Sequence, residues 1–425
     1  MPLRGNRTAA QGFATWISRG FAIAGVAAIA ACAPAKPVPP EADQADALYH
    51  AAQEACASGN HSGATQRDQT IEACTTVIES SNPPVADLVE ALKMRAGLYY
   101  ADGKYDEAIH DYGEVIRIDP RDAVALRSLG DANRHKGKCD VAVSDYDRAI
   151  RLTPKSADAL DGRGDAFVCL QDYTKAISDY DQVILLEPRR ADLYMKRGNA
   201  SVRSGEANKA IEDFSQAILL RPHDGAAYTA RGGLYLGQAQ YDLALQDLDN
   251  AVRLDPKSAE ALYRRGVVHL SQQDYDAAIQ DLDRAIQLTQ KSASAFDARG
   301  TAYMRTSDYD KATQDYDRAI RLSPAFAAAY EHRANIYSQK GDYERAIQDD
   351  TQAIRIDPHL TSAIISRGNA YLNRGEYDLA IQDYDRAVQL DPGNAQVLQE
   401  LREARLEKAK QDSARTISIE KNVPE

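Results

Sequence analysis

The chain has 425 residues, of which 44% are hydrophobic and 27% are charged. This composition argues against a largely disordered polypeptide. The formal net charge is −12, so the chain lacks the overall basic character that nucleic-acid binding requires, whereas a basic partner is compatible with it.

The N-terminal segment, residues 1–31, has the pattern of an export signal. Three arginines precede an apolar run from Phe21 to Ala31, and the segment contains no acidic residue. A basic region followed by a short apolar core and small residues is typical of a signal peptide. The run is too short to span a bilayer as a helix, which needs ~20 apolar residues.

The end of this segment resembles a bacterial lipobox. Residues 29–32 are a branched aliphatic residue, two alanines and Cys32. In lipoproteins of this type the cysteine becomes the new N-terminus and carries the lipid, and several acyl chains anchor a protein durably. The resemblance implies a lipid anchor at Cys32 in a bacterial cell envelope, with the outer membrane facing the periplasm favoured. The alternative is ordinary cleavage after Ala33 or Ala35, which would discard Cys32 and leave a soluble periplasmic protein.

A proline-rich linker follows in residues 32–40. It contains four prolines within eight residues, a density that favours a stiff, extended spacer without packed structure. Such a spacer would hold the rest of the chain away from a membrane surface.

Residues 41–88 are predicted to form an irregular pair of helices that carries two cysteines. A disulfide between Cys56 and Cys74 would close a loop of about 18 residues and stabilise the fold by ~3 kcal/mol; two free buried thiols are the alternative. Cys139 and Cys169 form a possible second pair. The even number of cysteines after Cys32 fits an oxidising compartment.

The centre of the chain follows a period of 34 residues, which a recurring proline marks. The prolines are Pro120, Pro154, Pro188, Pro222, Pro256, Pro324, Pro358 and Pro392. A period of this size indicates stacked copies of one small unit. Nine units cover residues 89–394, and the last one predicts helices over about 362–373 and 377–390, separated by a glycine turn.

Small residues at two positions of the unit carry a family resemblance. The eighth position holds Ala96, Gly130, Gly164, Gly198, Gly232, Gly266, Gly300, Ala334 and Gly368. The twentieth holds Ala108, Ala142, Ala176, Ala210, Ala244, Ala278, Ala312, Ala346 and Ala380. With aromatic residues at the eleventh position, such as Tyr99, Phe167 and Tyr371, the pattern closely resembles the tetratricopeptide repeat family.

The resemblance implies an all-α fold, a right-handed α-solenoid of stacked helix-turn-helix units. Residues 395–410 are expected to form a lone capping helix with a polar outer face, as repeat arrays need. Residues 411–425 are expected to be a disordered tail.

Charged residues recur where the family usually has none. The seventh position is arginine in eight of nine units: Arg95, Arg163, Arg197, Arg231, Arg265, Arg299, Arg333 and Arg367. The twenty-third position is aspartate in all nine units. We expect these residues to pair at helix–helix contacts, because guanidinium and carboxylate groups can form two parallel hydrogen bonds.

One repeat departs from the others at a position where an aromatic side chain should pack. In the eighth unit this position holds Asp350. Sequence drift in a tolerant array, a softer joint between repeats and a contact with a partner are the three interpretations.

The resemblance also implies that the first helices line a concave groove. Early in the array its candidate partner-binding residues are acidic: Asp131, Asp158, Asp161 and Asp165. In the middle they form a mixed aromatic and aliphatic stripe: Tyr228, Leu236, Tyr263, Val267, Leu270 and Met304. Such a stripe suits an amphipathic helix or an extended peptide, although some of these side chains could simply pack between helices. Late in the array Asn335 and Asn369 can both donate to and accept from a peptide backbone.

The sequence contains no pattern that indicates catalysis. Zinc-protease, nucleophile-elbow and phosphate-loop motifs are missing, and no cysteine or histidine spacing suggests a metal site. We therefore expect a non-enzymatic scaffold without cofactor or metal, which binds a protein or peptide partner and aids assembly of an envelope complex. The alternative is a structural, self-associating envelope spacer that uses its outer surface.

Overall fold

The computed structural model describes residues 40–57 and 64–421, with side-chain environments over 47–57 and 65–414. All secondary structure in these residues is α-helical, and consecutive helices pack against one another along the chain. The predicted signal segment and Cys32 lie outside the described residues, as does almost all of the linker.

An irregular helix pair, α1 (Pro40–Ala57) and α2 (Ala64–Glu79), precedes nine regular pairs. The first helices of the regular pairs are α3 (Val85–Ala101), α5 (Ala123–His135), α7 (Ala157–Cys169), α9 (Ala191–Arg203), α11 (Gly225–Gly237), α13 (Ala259–Ser271), α15 (Ala293–Arg305), α17 (Ala327–Gln339) and α19 (Thr361–Asn373). The second helices are α4 (Tyr105–Ile118), α6 (Cys139–Leu152), α8 (Tyr173–Leu186), α10 (Ala207–Leu220), α12 (Tyr241–Leu254), α14 (Tyr275–Leu288), α16 (Tyr309–Leu322), α18 (Tyr343–Ile356) and α20 (Tyr377–Leu390). The predicted all-α solenoid of helix-turn-helix units is confirmed.

The final helix is longer than the sequence pattern predicted. Helix α21 runs over Ala395–Lys421, whereas a capping helix at 395–410 and a disordered tail at 411–425 were predicted. Residues 411–421 contain neither proline nor glycine, so the local sequence holds nothing that ends a helix at residue 410. Near its start, Val397 and Leu401 are buried against α19 and α20 and close the end of the core.

Small residues let the two helices of each repeat approach closely. The alanines at the twentieth position are fully buried. At the eighth position, a Cβ atom added to Gly300 would lie 2.8 Å from the buried ring of Tyr316, a separation that real Cβ atoms do not show. Glycine at this position therefore makes room for the aromatic residue of the second helix.

The turn between the helices of each repeat needs one residue with positive φ. Five repeats place glycine there, for example Gly375 with φ 76°. Four repeats place Gln171, Ala239, Gln273 and Ser307 in the same left-handed conformation, with φ between 56° and 66°. This conformation costs a residue with a Cβ atom about 1 kcal/mol or more.

Two disulfides cross-link helices in the N-terminal half. Cys56 and Cys74 join α1 to α2, with their Cα atoms 4.9 Å apart. Cys139 and Cys169 join α6 to α7, with a Cα separation of 6.3 Å. The structure thus contains the expected disulfide and the possible second one, and the second crosses a boundary between repeats.

The predicted pairing of arginine with aspartate is confirmed in every repeat that has the arginine. In the sixth repeat, Nε and Nη2 of Arg265 donate to the two carboxylate oxygens of Asp281 at 2.6 and 2.7 Å. The other seven arginines make the same two bonds. Each carboxylate is buried, and the bidentate geometry satisfies both of its oxygens.

The same arginine also reaches the helix before its own repeat. Nη1 of Arg265 donates to Asp249 on α12 at 2.8 Å. The acceptor is an aspartate in five cases and a serine or threonine hydroxyl in three. We call this three-way arrangement the arginine clamp: the arginine, the aspartate of its own repeat and the acceptor on the preceding second helix.

The second repeat alone among the nine has no clamp. Leu129 replaces the arginine, and Gly113 stands at the acceptor position on α4. Asp145 accepts instead from Asn133 at 2.9 Å. Leu129 packs into an apolar cluster that spans α3 to α7, so apolar contact takes the place of the clamp at this joint. Lys136 at the end of α5 still donates to Asp106 on α4 at 2.6 Å.

Candidate functional site

The first helices lie on the inner side of the array. Helix α5 contacts α7, α11 contacts α13, and α13, α15, α17 and α19 contact each other in succession. Among the described helices, no pair of second helices shows comparable contact. A stack whose first helices approach each other more closely than its second helices curves towards the first helices, which therefore line a concave groove.

Two of the acidic residues early in this groove share an arginine. Asp131 accepts a hydrogen bond from the hydroxyl of Tyr146 at 2.6 Å and lies 3.5 Å from Arg127. Burial raises the pKa of Asp131 above its ordinary value, although Tyr146 and Arg127 oppose the rise. Asp158 is exposed and lies 3.9 Å from the same arginine.

The other two acidic residues bind cations more tightly. Asp161 accepts from Arg190 at 2.7 Å and from Lys196 at 2.6 Å. Asp165 accepts from the hydroxyl of Tyr180 at 2.8 Å and from Lys196 at 3.0 Å. The negative charge that was expected early in the groove is thus largely neutralised by cations of the array itself. Arg190 ends one repeat and Lys196 lies early in the next, and neither was among the predicted partner-binding residues.

The six residues of the middle stripe are all half-buried. Tyr228 and Tyr263 pack against the buried core around Val252 and Leu262. Val267 and Leu270 lie against α14 and α15. Burial raises the pKa of Tyr263, so its hydroxyl is neutral at pH 7.

The remaining two stripe residues behave in the same way. Leu236 packs on the core near Leu248, and Met304 lies beside Tyr316, whose hydroxyl is 4.0 Å from the methionine sulfur. The stripe therefore contributes to packing between helices and also keeps part of its apolar surface exposed in the groove.

The two asparagines late in the groove line a polar depression of about 320 Å³. Asn335 donates to Glu331 at 3.1 Å and accepts from Ser366 at 3.4 Å. Asn369 accepts from the hydroxyl of Tyr384 at 2.6 Å. Ser338 also lines this depression, and its buried hydroxyl has no hydrogen-bond partner.

A buried acid lies in the same repeat and was not among the predicted site residues. Asp350 on α18 is fully buried, and neither of its carboxylate oxygens has a hydrogen-bond partner. The sequence signal was the aspartate at a position that is aromatic or leucine in the other repeats. Only the structure shows that this carboxyl is enclosed and unsatisfied, which is costly for a polar group.

Within the described ranges, no group of histidine, cysteine, aspartate and glutamate side chains is arranged to hold a metal ion. None of the helices in this part of the chain is long and apolar enough to cross a bilayer.

Sequence models of the tetratricopeptide repeat match most of the repeat region. One model matches residues 93–157, 162–227, 229–293 and 298–360, and a second matches 362–394. Together they cover more than half of the chain. A comparison with curated proteins gave no match.

Several solved structures are similar to parts of the chain. A tetratricopeptide repeat protein from Parabacteroides merdae is 22% identical over 59% of this chain and 99% of its own, with a TM-score of 0.49. The pilF protein of Pseudomonas aeruginosa is 19% identical over 52% of this chain and all of its own, with a TM-score of 0.46. The Cut9–Hcn1 assembly has a chain that is 14% identical over 85% of this chain and 90% of its own, with a TM-score of 0.48.

Proposed function

The chain belongs to the tetratricopeptide repeat family, and from this membership we propose that its concave groove binds a polypeptide segment of another protein. Members of the family are generally non-catalytic scaffolds that bind protein or peptide partners. The proposed role is therefore to hold a partner, without a chemical reaction on the scaffold.

The half-buried apolar stripe in the middle of the groove is the observation that carries this proposal. Tyr228, Tyr263 and Leu270 each pack on the array and still leave apolar surface in the groove. Aromatic side chains that are already fixed by packing lose little conformational freedom when a partner binds. The early groove offers less free charge, because Arg190 and Lys196 already pair with its aspartates.

We place this scaffold in a bacterial cell envelope, anchored by a lipid at Cys32. Two features support this location. The N-terminal residues have the pattern of a lipoprotein signal, and the two disulfides fit an oxidising compartment. In this setting the proposed task is to aid assembly of an envelope complex.

Site-specific photocrosslinking in intact cells tests groove binding. A photoreactive residue placed at Leu236, Leu270 or Met304 should crosslink to a partner polypeptide. The same residue placed at Leu219, which is exposed on α10, is the control and should not.

The crosslinks from Leu236 and Met304 should also disappear in the combined variant Tyr228→Ala, Tyr263→Ala, Leu270→Ser, provided that circular dichroism shows it to be folded. If the groove positions and Leu219 capture the same partner equally, or if the folded combined variant captures it unchanged, groove binding is wrong.

A self-associating spacer is the second candidate, and one observation favours it. Leu185 on α8 and Leu219 on α10 occupy equivalent positions in adjacent repeats and are 83% and 71% exposed. The other repeats carry arginine or glutamine at this position. Two neighbouring exposed leucines form an apolar patch on the second helices, which could join copies of the chain.

The spacer hypothesis predicts association that depends on these two leucines. Sedimentation velocity should show oligomers of the native protein that dissociate when both leucines are replaced by arginine. A monomeric native protein over the micromolar range would contradict it.

A further inference from the structure

The position occupied by Asp350 normally holds a side chain that extends from the second helix to the groove. In the ninth repeat the hydroxyl of Tyr384 reaches Asn369, at 2.6 Å, on the first helix. In the second repeat the hydroxyl of Tyr146 reaches Asp131 in the same way. The side chain of Asp350 leaves α18 at the same repeat position, but it is shorter than a tyrosine side chain by about the length of the ring.

The surroundings of the tyrosines show what lies around this shorter side chain. The ring of Tyr146 lies against Gly130 of its own repeat and Gly162 of the next. The equivalent residues around Asp350 are Ala334 and Ser366. Ser366 lines the polar depression in the groove, as do Asn335 and Ser338 at the positions equivalent to Asp131 and Arg134.

By equivalence with these tyrosines, the Asp350 side chain extends towards Asn335 and Ser366, which line the depression, while Asp350 itself lies below the lining. Neither carboxylate oxygen has a hydrogen bond of normal geometry, although Ser366 lies close enough to lower the pKa of Asp350. The hydroxyl of Ser338, which lines the depression, also has no partner. A fully buried carboxyl without a partner is rare, because burial without hydrogen bonds costs several kcal/mol. Two unsatisfied polar side chains under an open depression point to a ligand that supplies donors.

The charges around this point favour a cation. Burial raises the pKa of Asp350 most, and the Ser366 hydroxyl opposes this rise. Glu331 on α17 and Asp349 on α18 add to the rise in pKa, and Arg367 on α19 lowers it. Arg367 cannot neutralise Asp350, because its guanidinium is bonded to Asp383 at 2.7 and 2.8 Å. Burial is the largest cause and raises the pKa of Asp350 to about 8.

Resting on the proposed groove binding, we propose that the depression between α17 and α19 is a subsite for a lysine side chain of the bound polypeptide. Its ammonium group reaches the Asp350 carboxylate past Asn335 and Ser366. A lysine fits this place because its slender stem can follow the path that a tyrosine takes in the sister repeats. Its ammonium has three donors, which match the carboxylate, the Ser338 hydroxyl and Glu331.

Binding should transfer a proton from the Asp350 carboxyl to solvent. The empty site holds the carboxyl mostly protonated at pH 7, whereas the ammonium favours the carboxylate. The lysine keeps its charge, the carboxyl loses its proton, and the buffer takes up that proton. Calorimetry in two buffers of different ionisation enthalpy measures the number of protons released.

The test uses three acetylated and amidated peptides of about nine residues, identical except for a central lysine, norleucine or glutamine. We expect the lysine peptide to bind the native protein about tenfold more tightly than the norleucine peptide, which corresponds to ~1.4 kcal/mol. We also expect it to release close to one proton at pH 7. Asp350→Asn should remove both the preference and the proton release, and Asp276→Asn, an exposed change on α14, should alter neither.

A second variant guards against misfolding at this site. Asp350→Tyr combined with Ala334→Gly restores the pair found in the sister repeats and should also lose the lysine preference. Equal binding of the three peptides, binding of none of them, or an unchanged preference in folded Asp350→Asn overturns the subsite. If crosslinking to the middle groove persists in those cases, groove binding stands and only the lysine subsite is wrong.

Discussion

At the seventh position of the repeat, one guanidinium group connects three helices. Arg265 is bonded to Asp281 on the second helix of its own repeat and to Asp249 on the preceding one. Its side chain is 17% exposed and that of Asp281 only 6%. The fixed planar fork of arginine suits this arrangement, which a lysine could not reproduce.

Replacing Arg265 by methionine should destabilise the array. The change leaves Asp281 buried without its partner, and breaking a buried ion pair in this way costs about 3 kcal/mol. Chemical denaturation should show a lower free energy of unfolding. Arg253→Met is the matched control: this arginine is exposed and donates to Asn250, so its loss should cost less than about 0.5 kcal/mol.

The double change Arg265→Met, Asp281→Leu separates the two contributions. It should recover much of the lost stability, because no buried charge remains unpaired. Equal unfolding of Arg265→Met and the native protein would show that the clamp does not stabilise the array.

Asp350 should make stability depend on pH in the direction opposite to that of a paired carboxylate. Its pKa is about 8 in the fold and 3.8 as a free side chain. Between these two pKa values the unfolded chain binds fewer protons than the folded chain. The free energy of unfolding is therefore highest below about pH 4 and falls as the pH rises to about 8. Above that pH this carboxyl causes no further change.

Asp350→Asn removes this dependence because an amide does not titrate. Relative to the native protein it should unfold at a similar temperature at pH 4 and at a higher temperature at pH 8, with a gain of up to ~5 kcal/mol. Thermal unfolding of both proteins across this range is the measurement. A difference between them that stays constant with pH would contradict the burial of an unpaired carboxyl.

At the scale of the helix pair, the turn is the least uniform element. Five repeats use glycine for the residue with positive φ, whereas Ala239 adopts φ 56° in the fifth repeat. The left-handed conformation strains any residue that has a Cβ atom. The four turns without glycine therefore hold removable strain.

Ala239→Gly should stabilise the fifth repeat by about 0.5 to 1 kcal/mol, because the relief of strain exceeds the added freedom of the unfolded chain. Gly205→Ala, at the equivalent turn with φ 83° and no atom nearby, is the reciprocal change and should destabilise by a similar amount. Urea denaturation measures both. Shifts of the same sign would argue against strain at this turn.

The elements themselves were largely predictable from the sequence. The helix over Tyr377–Leu390 has the predicted bounds, because a glycine turn and a proline turn flank an apolar pattern of helical period. The bidentate pair of arginine and aspartate followed from two residue types at fixed positions. Because the 34-residue period repeats each local signal nine times, a pattern that occurs by chance in one unit is easily distinguished from one that the fold requires.

Contacts between repeats were harder to predict. The third bond of the clamp joins Arg265 to Asp249 on the preceding repeat. Predicting it requires the angle by which one repeat is rotated against the next, which the sequence does not give. The same holds for Lys196, whose ammonium lies between Asp161 and Asp165. Sequence position assigns residues to a groove face, but it does not show which charges are already paired there.

At the scale of the whole molecule, contacts are local along one dimension. Each repeat packs mainly on its neighbours, so stability is approximately a sum over repeats and joints. The two disulfides both lie in the N-terminal half. This is the half nearest to the proposed lipid anchor.

The proposed anchor predicts a change in location from a single substitution. Cys32→Ser removes the acceptor thiol, so the protein should lose its acyl chains and leave the membrane fraction. Mass spectrometry of the purified N-terminus and fractionation of cells measure the two effects. Ala35→Ser is the control and should stay in the membrane; a Cys32→Ser variant that remains fully membrane-bound would exclude lipid anchoring.

The missing clamp of the second repeat gives the array an uneven elasticity. At most joints the guanidinium bonds fix the angle between repeats, because charge-assisted bonds are directional. Between α4 and α5 this directional clamp is missing, and the apolar cluster, a stacked pair of Tyr105 and His135 and an ion pair of Lys136 with Asp106 remain. We expect this joint to be the most compliant one, about which the N-terminal helices swivel under tension. Spin labels on α4 and α6 should report a broad distance distribution, which Gly113→Asp with Leu129→Arg should narrow; equal widths would mean that the joint is as stiff as the others.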